Sequence, residues 1–303
     1  SHRSRYVGPN QYGTEDTRRK QFIGIVAHHL MDALIHLPAD RLTHLARAVE
    51  RGVERRDILM HFNNHDAQAM LREAGADGAV NRTTGDYLYV VDTNLSYNKI
   101  NDYVHSRVDY VVQVRPNRWL EARLTIRLHN RPSPTLDPGG YGPGGGAYGG
   151  RDDYADFLRV FVPAGAQLTG ESGWTQPWSP GEAYGKTEFS GYLIVPRGAT
   201  RVVQLEYTVP PNVFSATHGS HYHLLIQHQP GSYPDGWSVS VMHDGSTAKW
   251  HINHPATDWA RSLPIERRLF HPLPLVPQSS VVVKPGTWIE PHAYLAAPKP
   301  SPN

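Results

Sequence analysis

The richest polar stretch of the chain is Asp92, Asn94, Ser96, Asn98, Asn101 and Asp102, with Lys99 among them, directly after an apolar run. Closely spaced carboxylate and amide oxygens suit a hard cation such as calcium. An EF-hand loop needs Gly at its sixth position and Glu at its twelfth, and here those positions are Tyr97 and Tyr103. Asn and Asp also hydrogen-bond their own backbone and fix turns without any ligand. Lys99 can pair with Asp92 or Asp102. A ligand contact through Asp92, Asn94, Asn98 and Lys99 and a purely structural turn are both open.

Arg18, Arg19 and Lys20 fall in the first turns of an expected helix, where free backbone N–H groups and guanidinium forks favour phosphate. The competing reading is a solvated helix face. Trp174 and Trp178 flank Gln176 and Pro177 in a Gly- and Pro-rich loop, with Tyr184 close behind. Exposed rings of this kind stack on sugars or anchor a protein partner, and the alternative is packing against the end of a β-sandwich. Among 18 histidines, His221 and His223 sit two apart, which on a strand puts both on one face, a geometry zinc can use. No third or fourth ligand is assignable, so no metal is expected.

Other chemistry is excluded more firmly. With no cysteine there are no disulfides, no thiolate catalysis and no Cys-based metal sites. Gly170-Glu171-Ser172-Gly173 is one residue out of the nucleophile-elbow pattern. The Gly-rich segment from Pro138 to Gly150 lacks the Lys-Ser/Thr ending of a phosphate loop and reads as a surface excursion. No catalytic residue and no cofactor is expected.

These residues ride on elements of two periods. Residues 1–13 read as a leader. From Thr14, with Glu15 and Asp16 behind it, Phe22, Val26, Leu30, Ala33 and Leu37 recur at helical spacing. Pro38 opens a second helix with Leu42, Leu45, Val49 and Val53 on one face. Ile58–Phe62 reads as a strand, and a short helix begins at Asp66 and stops at Gly75. After Gly85 the period becomes two: Tyr87–Val91; Val108, Tyr110, Val112 and Val114; a Pro116-Asn117 turn; then Leu120, Ala122, Leu124, Ile126 and Leu128. Further strands are expected at 156–162, 187–195, 200–209, 222–229 and 237–243. The predicted fold is α+β: a mixed segment over residues 14–85, an antiparallel β-sandwich of seven or eight strands over 86–245, and an extended Pro-rich tail over 246–303.

Thirty basic against 28 acidic residues leave a formal charge of +2, with no one-sided segment to attract a phosphate backbone, so nucleic acid is an unexpected partner. No run approaches the roughly 18 apolar residues of a spanning helix. The chain begins at Ser1, consistent with removal of an upstream segment, through which any membrane attachment would come.

Three stretches, taken together, resemble the bacterial family known as domain of unknown function 4012. They are Tyr87 to Asn101 followed by Val108-Asp109-Tyr110; Tyr154 to Ala166 with Gly185 to Gly191 and Pro196 behind it; and Tyr222 to Gly231. The resemblance implies an extracytoplasmic location at the bacterial cell surface and carries no established activity. Residues 14–74, with Arg18 and Arg19 at a helix start, are similar to the second half of the LytR-CpsA-Psr cell-wall transferases, which use arginines and acidic residues around a pyrophosphate and a divalent metal. The half that would hold the remaining ligands is missing here. Two functions follow as expectations. One is a non-catalytic envelope module contacting surface glycan, other envelope proteins or copies of itself. The other is the C-terminal part of a glycopolymer phosphotransferase.

Overall fold

A computed structural model describes residues 12–95, 100–131, 152–214, 221–232 and 234–265; the side chains of residues 12–21 lie outside that description, as does the Gly-rich segment from Pro138 to Gly150. All described residues belong to one unit, Ser1–Glu266, and the expected extended Pro-rich tail beyond residue 265 lies outside the described residues.

Three helices come first: α1 (Tyr12–Ile35), α2 (Leu42–Glu54) and α3 (His65–Glu73). Thr14 lies inside α1 rather than at its cap. Between α1 and α2 the chain turns by 105° at Pro38 and the 3-10 turn Ala39–Arg41. This bend keeps the two apolar faces apart. Every residue from 22 to 36 is exposed, with Phe22 at 66% and Ile35 at 71%, so the expected stripe is uncovered within the unit. α3 begins as its sequence requires: Asn64 Oδ1 accepts from the N–H groups of Asp66 and Ala67, both at 3.0 Å. It ends at Gly75, whose φ of 69° closes the helix with bonds from Gly75 N to Arg72 O and Ala76 N to Leu71 O. The strand expected at Ile58–Phe62 is absent. Ile58 N and Met60 N donate to Gly52 O and Ala76 O, and no strand lies alongside to form a ladder.

The described residues form thirteen strands: β1 (Asp86–Val91), β2 (Val104–Val114), β3 (Leu120–Asn130), β4 (Tyr154–Pro163), β5 (Gln167–Ser172), β6 (Gln176–Pro177), β7 (Gly181–Ala183), β8 (Lys186–Val195), β9 (Thr200–Val209), β10 (His221–Gln227), β11 (Gly236–His243), β12 (Ser246–Asn253) and β13 (Trp259–Pro264). The first sheet runs β13-β10-β1-β4-β8-β6, with β7 also on β8, and the second runs β12-β11-β2-β3-β9-β5. Most pairings are antiparallel. Two are parallel, β1 with β10 and β2 with β11, because β10 and β11 arrive late in the chain and flank the first strand of each sheet. Sheet structure continues to Pro264, past the boundary expected at 245.

The sandwich interior follows from alternation. Tyr110, Val112 and Leu124 of the second sheet meet Leu158, Val160, Phe189 and Leu193 of the first, all essentially inaccessible. Each such side chain contributes roughly 1.5–3 kcal/mol by leaving water. Strand β1 is buried on both faces. Leu88 points into the sandwich, whereas Tyr87, Tyr89 and Val91 point outward, join Phe161 and are covered by Val80. Residues 76–85 thus form a strap over half the outer face of the first sheet. The strap is tied by Asn81 N to Gln227 Oε1 at 2.8 Å and Gln227 Nε2 to Ala79 O at 3.1 Å.

Candidate functional site

The outer face of the first sheet carries the polar and aromatic groups best placed to meet a ligand. Along β4, Leu158 and Val160 point inward, so Phe157, Arg159 and Phe161 point outward. Same-face neighbours on a strand lie about 6.6 Å apart, which separates Phe157 from Phe161 by about 13 Å with Arg159 midway. Both end rings are capped from the β8 side. Trp178 meets Phe157 edge-on with centroids 4.8 Å apart, and Tyr184 meets Phe161 at 5.9 Å. Tyr89 stacks on Phe161 at 5.9 Å from the other side.

Local sequence explains how the two caps are held. Pro177 pairs with Gly191 of β8 and Trp178 N donates to Ser190 O at 2.9 Å, fixing the indole over the sheet. Gly191 has no room for a Cβ, which would meet Trp174 at 2.6 Å. Tyr184 and Gly185 form the two-residue turn between β7 and β8, with φ of 56° and 70°. Such turns favour Asn or Gly at both positions, and a bulky residue there costs on the order of 1 kcal/mol. A strained aromatic that is 70% exposed, on the same sheet face as a tryptophan that is 55% exposed, is a surface feature maintained at a cost.

Three cations, Arg159, Arg56 and Lys186, stand on this face together with the carboxylate of Glu188. Arg159 has its Cζ 5.6 Å from the Phe161 ring, its Nε is buried without a hydrogen-bond partner, and it makes no ion pair among the described residues. Arg56, 4% exposed and at φ 58°, grips Asp258 through Nε at 3.1 Å and Nη2 at 2.8 Å, leaving Nη1 buried and unpartnered. Lys186 Nζ lies 4.1 Å from the Tyr87 ring; burial lowers its pKa, against the attraction of Asp86. Burial raises the Tyr89 hydroxyl, while Arg56 and Arg159 both pull it down. Glu188 occupies the same face, paired in register with Phe161, without an ion pair to Arg159.

The polar segment singled out in sequence is built mainly by the backbone. Asp92 N donates to Gln229 Oε1 at 2.9 Å and Gln229 Nε2 returns to Asp92 O at 2.8 Å. Asn94 bridges Asp156, and its Nδ2 donates to Asn101 Oδ1 at 3.2 Å. Thr93 N donates to Asp156 Oδ1 at 2.6 Å, and Tyr154 Oη donates to Asp92 Oδ2 at 2.9 Å. Burial above all, then the nearby Asp92 carboxylate, pushes the Asp156 carboxyl well above the ordinary range. Asp156 is inaccessible, so this carboxyl cannot touch a substrate. Asp92 borders a cavity of about 50 Å³ between the sheets, lined by Val90, Leu158, Trp237 and Trp259. That volume holds a water or two, far below the several hundred Å³ of a substrate pocket.

The remaining expected site residues separate. Trp174 packs on the sandwich and donates from Nε1 to Glu171 Oε2 at 2.9 Å, whereas Trp178 faces solvent. His221 and His223 share a face of β10 with rings 6.1 Å apart, and no group of three metal-ligating side chains occurs among the described residues. Arg18 and Arg19 lie in α1 with side chains outside the description, and Asn98 and Lys99 lie outside the described residues.

Sequence reasoning missed Arg56, Phe157, Arg159, Phe161 and Lys186, because nothing in a strand's alternation says that its outer face is covered. It also missed the buried Asp86, which accepts from Tyr222 Oη, from Tyr110 Oη at 2.9 Å and from Tyr87 N at 2.8 Å. Tyr207 Oη donates in turn to Tyr110 Oη at 3.2 Å, completing a polar tie between the two sheets.

No protein-family model matches the chain, and no curated protein matches it at a significant level. Among solved structures it is similar to a Legionella pneumophila protein provisionally assigned to nutrient binding, at 10% identity and a TM-score of 0.33, over 59% of this chain and 71% of the other. A likeness that distant carries no argument about fold or function.

Proposed function

We propose that this protein is a non-catalytic module of the bacterial cell envelope that holds glycan against the outer face of its first sheet. The observation that carries the reading is the pair of exposed rings, Trp178 and Tyr184, each braced from below by a phenylalanine of β4. Rigid aromatic rings offer sugars a flat apolar surface at little cost in side-chain entropy. The two phenylalanines beneath the rings lie about 13 Å apart along β4, a separation that suits an extended oligosaccharide. The resemblance to the extracytoplasmic family of domain of unknown function 4012 supports the location. Assembly with other envelope proteins or with copies of itself is a further part of the reading. The sheet edges do not favour it: β5 is short and carries a register shift between Leu168 and Gly170, β12 is largely polar, and β13 is short and ends in Pro264.

Titration of the purified chain with chitohexaose and with solubilised peptidoglycan fragments, read by tryptophan fluorescence, tests this. Binding that shifts the emission and is lost in Trp178→Ala is expected. Absence of binding to both probes at millimolar concentration refutes it.

A second reading, the C-terminal part of a glycopolymer phosphotransferase, draws on one observation, the uncovered apolar length of α1 from Phe22 to Ile35. So much exposed apolar surface on one helix requires burial by something else. No single helix among the described residues is long and apolar enough to cross a membrane, and a missing half-domain would supply the cover. Restoration of pyrophosphate cleavage by an upstream segment, abolished by Arg18→Ala with Arg19→Ala, is the result this reading requires.

A further inference from the structure

We infer that the glycan this face takes is anionic, its carboxylate or phosphate seated on Arg159 between the two aromatic platforms. The inference rests on the glycan reading and narrows it to a class of ligand.

The argument starts from how this protein treats its other sheltered arginines. Arg56 has Asp258, Arg123 has Glu206 at 2.8 Å, and Arg201 has the carbonyls of Ile194 at 2.8 Å and Gly173 at 3.0 Å. Arg159 is half-buried like Arg123 and Arg201, yet among the described residues it makes no ion pair, and its guanidinium lies by the ring of Phe161. A guanidinium partly withdrawn from water, its buried Nε without a hydrogen-bond partner among the described residues and its open nitrogens facing no acid in register, is an unfavourable arrangement in the free protein. It becomes favourable when an anion arrives, because the planar fork of arginine matches a carboxylate or phosphate with two parallel hydrogen bonds.

The surroundings bias the position in the same direction. Lys186 and Arg56 stand on the same face of the sheet beside Tyr87 and Tyr89. Arg56 is compensated by Asp258, Lys186 is attracted by Asp86, and Glu188 is the carboxylate that shares the face with Arg159. Neither Ser190, opposite Arg159 on β8, nor Val91, opposite it on β1, can neutralise a cation. Since Arg159 sits midway along β4, about 6.6 Å from each of the phenylalanines that brace the platforms, sugars stacked at both ends would present the substituents of the intervening unit to its fork.

Isothermal titration with three probes separates the possibilities: neutral chitohexaose, a hyaluronan hexasaccharide carrying carboxylates, and 6-O-phosphorylated chitohexaose. At least one anionic probe should bind tenfold or more tighter than chitohexaose. Raising sodium chloride from 50 mM to 500 mM should shrink that preference, as should Arg159→Gln, with Arg159→Lys intermediate because charge survives and the fork does not. Which anionic probe wins distinguishes carboxylate from phosphate. Equal affinity for all three, or a preference untouched by Arg159→Gln, overturns the inference while the glycan reading stands; absence of binding to any probe overturns both. Thermal melting confirms folding of each variant, and if Arg159→Gln fails to fold, the salt dependence and Arg159→Lys decide.

Discussion

Asp258 accepts four hydrogen bonds from three parts of the chain: Arg56 Nε and Nη2, Asn81 Nδ2 at 2.8 Å and His228 N at 2.7 Å. It is therefore the point at which residues 56–85 are fastened to the sandwich. In Asp258→Ala the guanidinium of Arg56 remains buried with no counter-charge, a situation that costs about 3–5 kcal/mol. The Asp258 side chain is 27% exposed, so water rescues part of what Asn81 and His228 lose, and the lower end of that range is expected. For a domain of this size each kcal/mol moves Tm by about 2–4 °C, giving a drop near 10 °C. Urea unfolding measures the loss, and hydrogen exchange at the Asn81 amide, which donates to Gln227, reports whether the strap lifts first. Replacing both partners, Arg56→Met with Asp258→Leu, should recover most of the stability because no charge is then left buried. A loss below about 1 kcal/mol in Asp258→Ala, or a double variant as unstable as the single one, refutes the view that a buried cation holds the strap.

Tyr184→Asn relieves a left-handed tyrosine and forfeits its contact with Phe161; these effects nearly cancel, so stability should stay within about 1 kcal/mol while oligosaccharide affinity falls roughly tenfold. A variant that binds as well as the parent would sink the platform role. Gly191→Ala drives a methyl into the Trp174 ring and the Gln176 carbonyl, so it should destabilise by about 1–3 kcal/mol and weaken binding by displacing Trp178; a neutral melting curve would contradict this. Burial pushes the Asp86 carboxyl from 3.8 up to about 6, against the hydroxyls of Tyr222 and Tyr110 that favour its ionised form. The folded state keeps a proton that the unfolded chain has released. The resulting stability is fully present below about pH 4 and is lost as pH rises through about 6, amounting to at most about 3 kcal/mol. The stability difference between the parent and Asp86→Asn, followed from pH 7 down to 4.5, should shift in favour of the parent; a constant difference would rule the assignment out.

Much of the sandwich was legible because a strand with one wet and one buried face writes its period into the sequence. Val108 to Leu128 is the clearest case. Strand β12 was legible too and was passed over. Asp244-Gly245, with φ of 47° and 74°, is a two-residue hairpin signal, yet its strand has neither a long apolar run nor a buried face. Strands β6 and β7 are two and three residues long and carry no period at all. The parallel neighbours of β1 and β2 depend on contacts between segments far apart in the chain, which local pattern cannot encode. As for the site, Trp178 stood out by composition and exposure. Arg159 did not, because an outward arginine on a strand reads as solvated until the structure places it beside Phe161 with no ion pair among the described residues.

The site owes its position to an imbalance in how the first sheet is covered. Its outer face is apolar beyond what water tolerates: Tyr87, Tyr89, Val91 and Phe161 form a second cluster of buried residues outside the main core. Over β1 the chain supplies its own cover, the strap clamped by Asp258. Over β4 and β8 it supplies two side chains, Trp178 and Tyr184, which seal the phenylalanines beneath and leave their own outer surfaces in water. A continuation of the strap across β4 would have buried Arg159 and required an acid to pair with it. Among the described residues the strap stops short of that, so the flat aromatic surfaces coincide there with a guanidinium that makes no ion pair among those residues. Apolar surface and charge left open together on a rigid sheet are the two requirements for gripping a charged sugar, and the proposed glycan site meets them where the small cavity beside Asp92 does not.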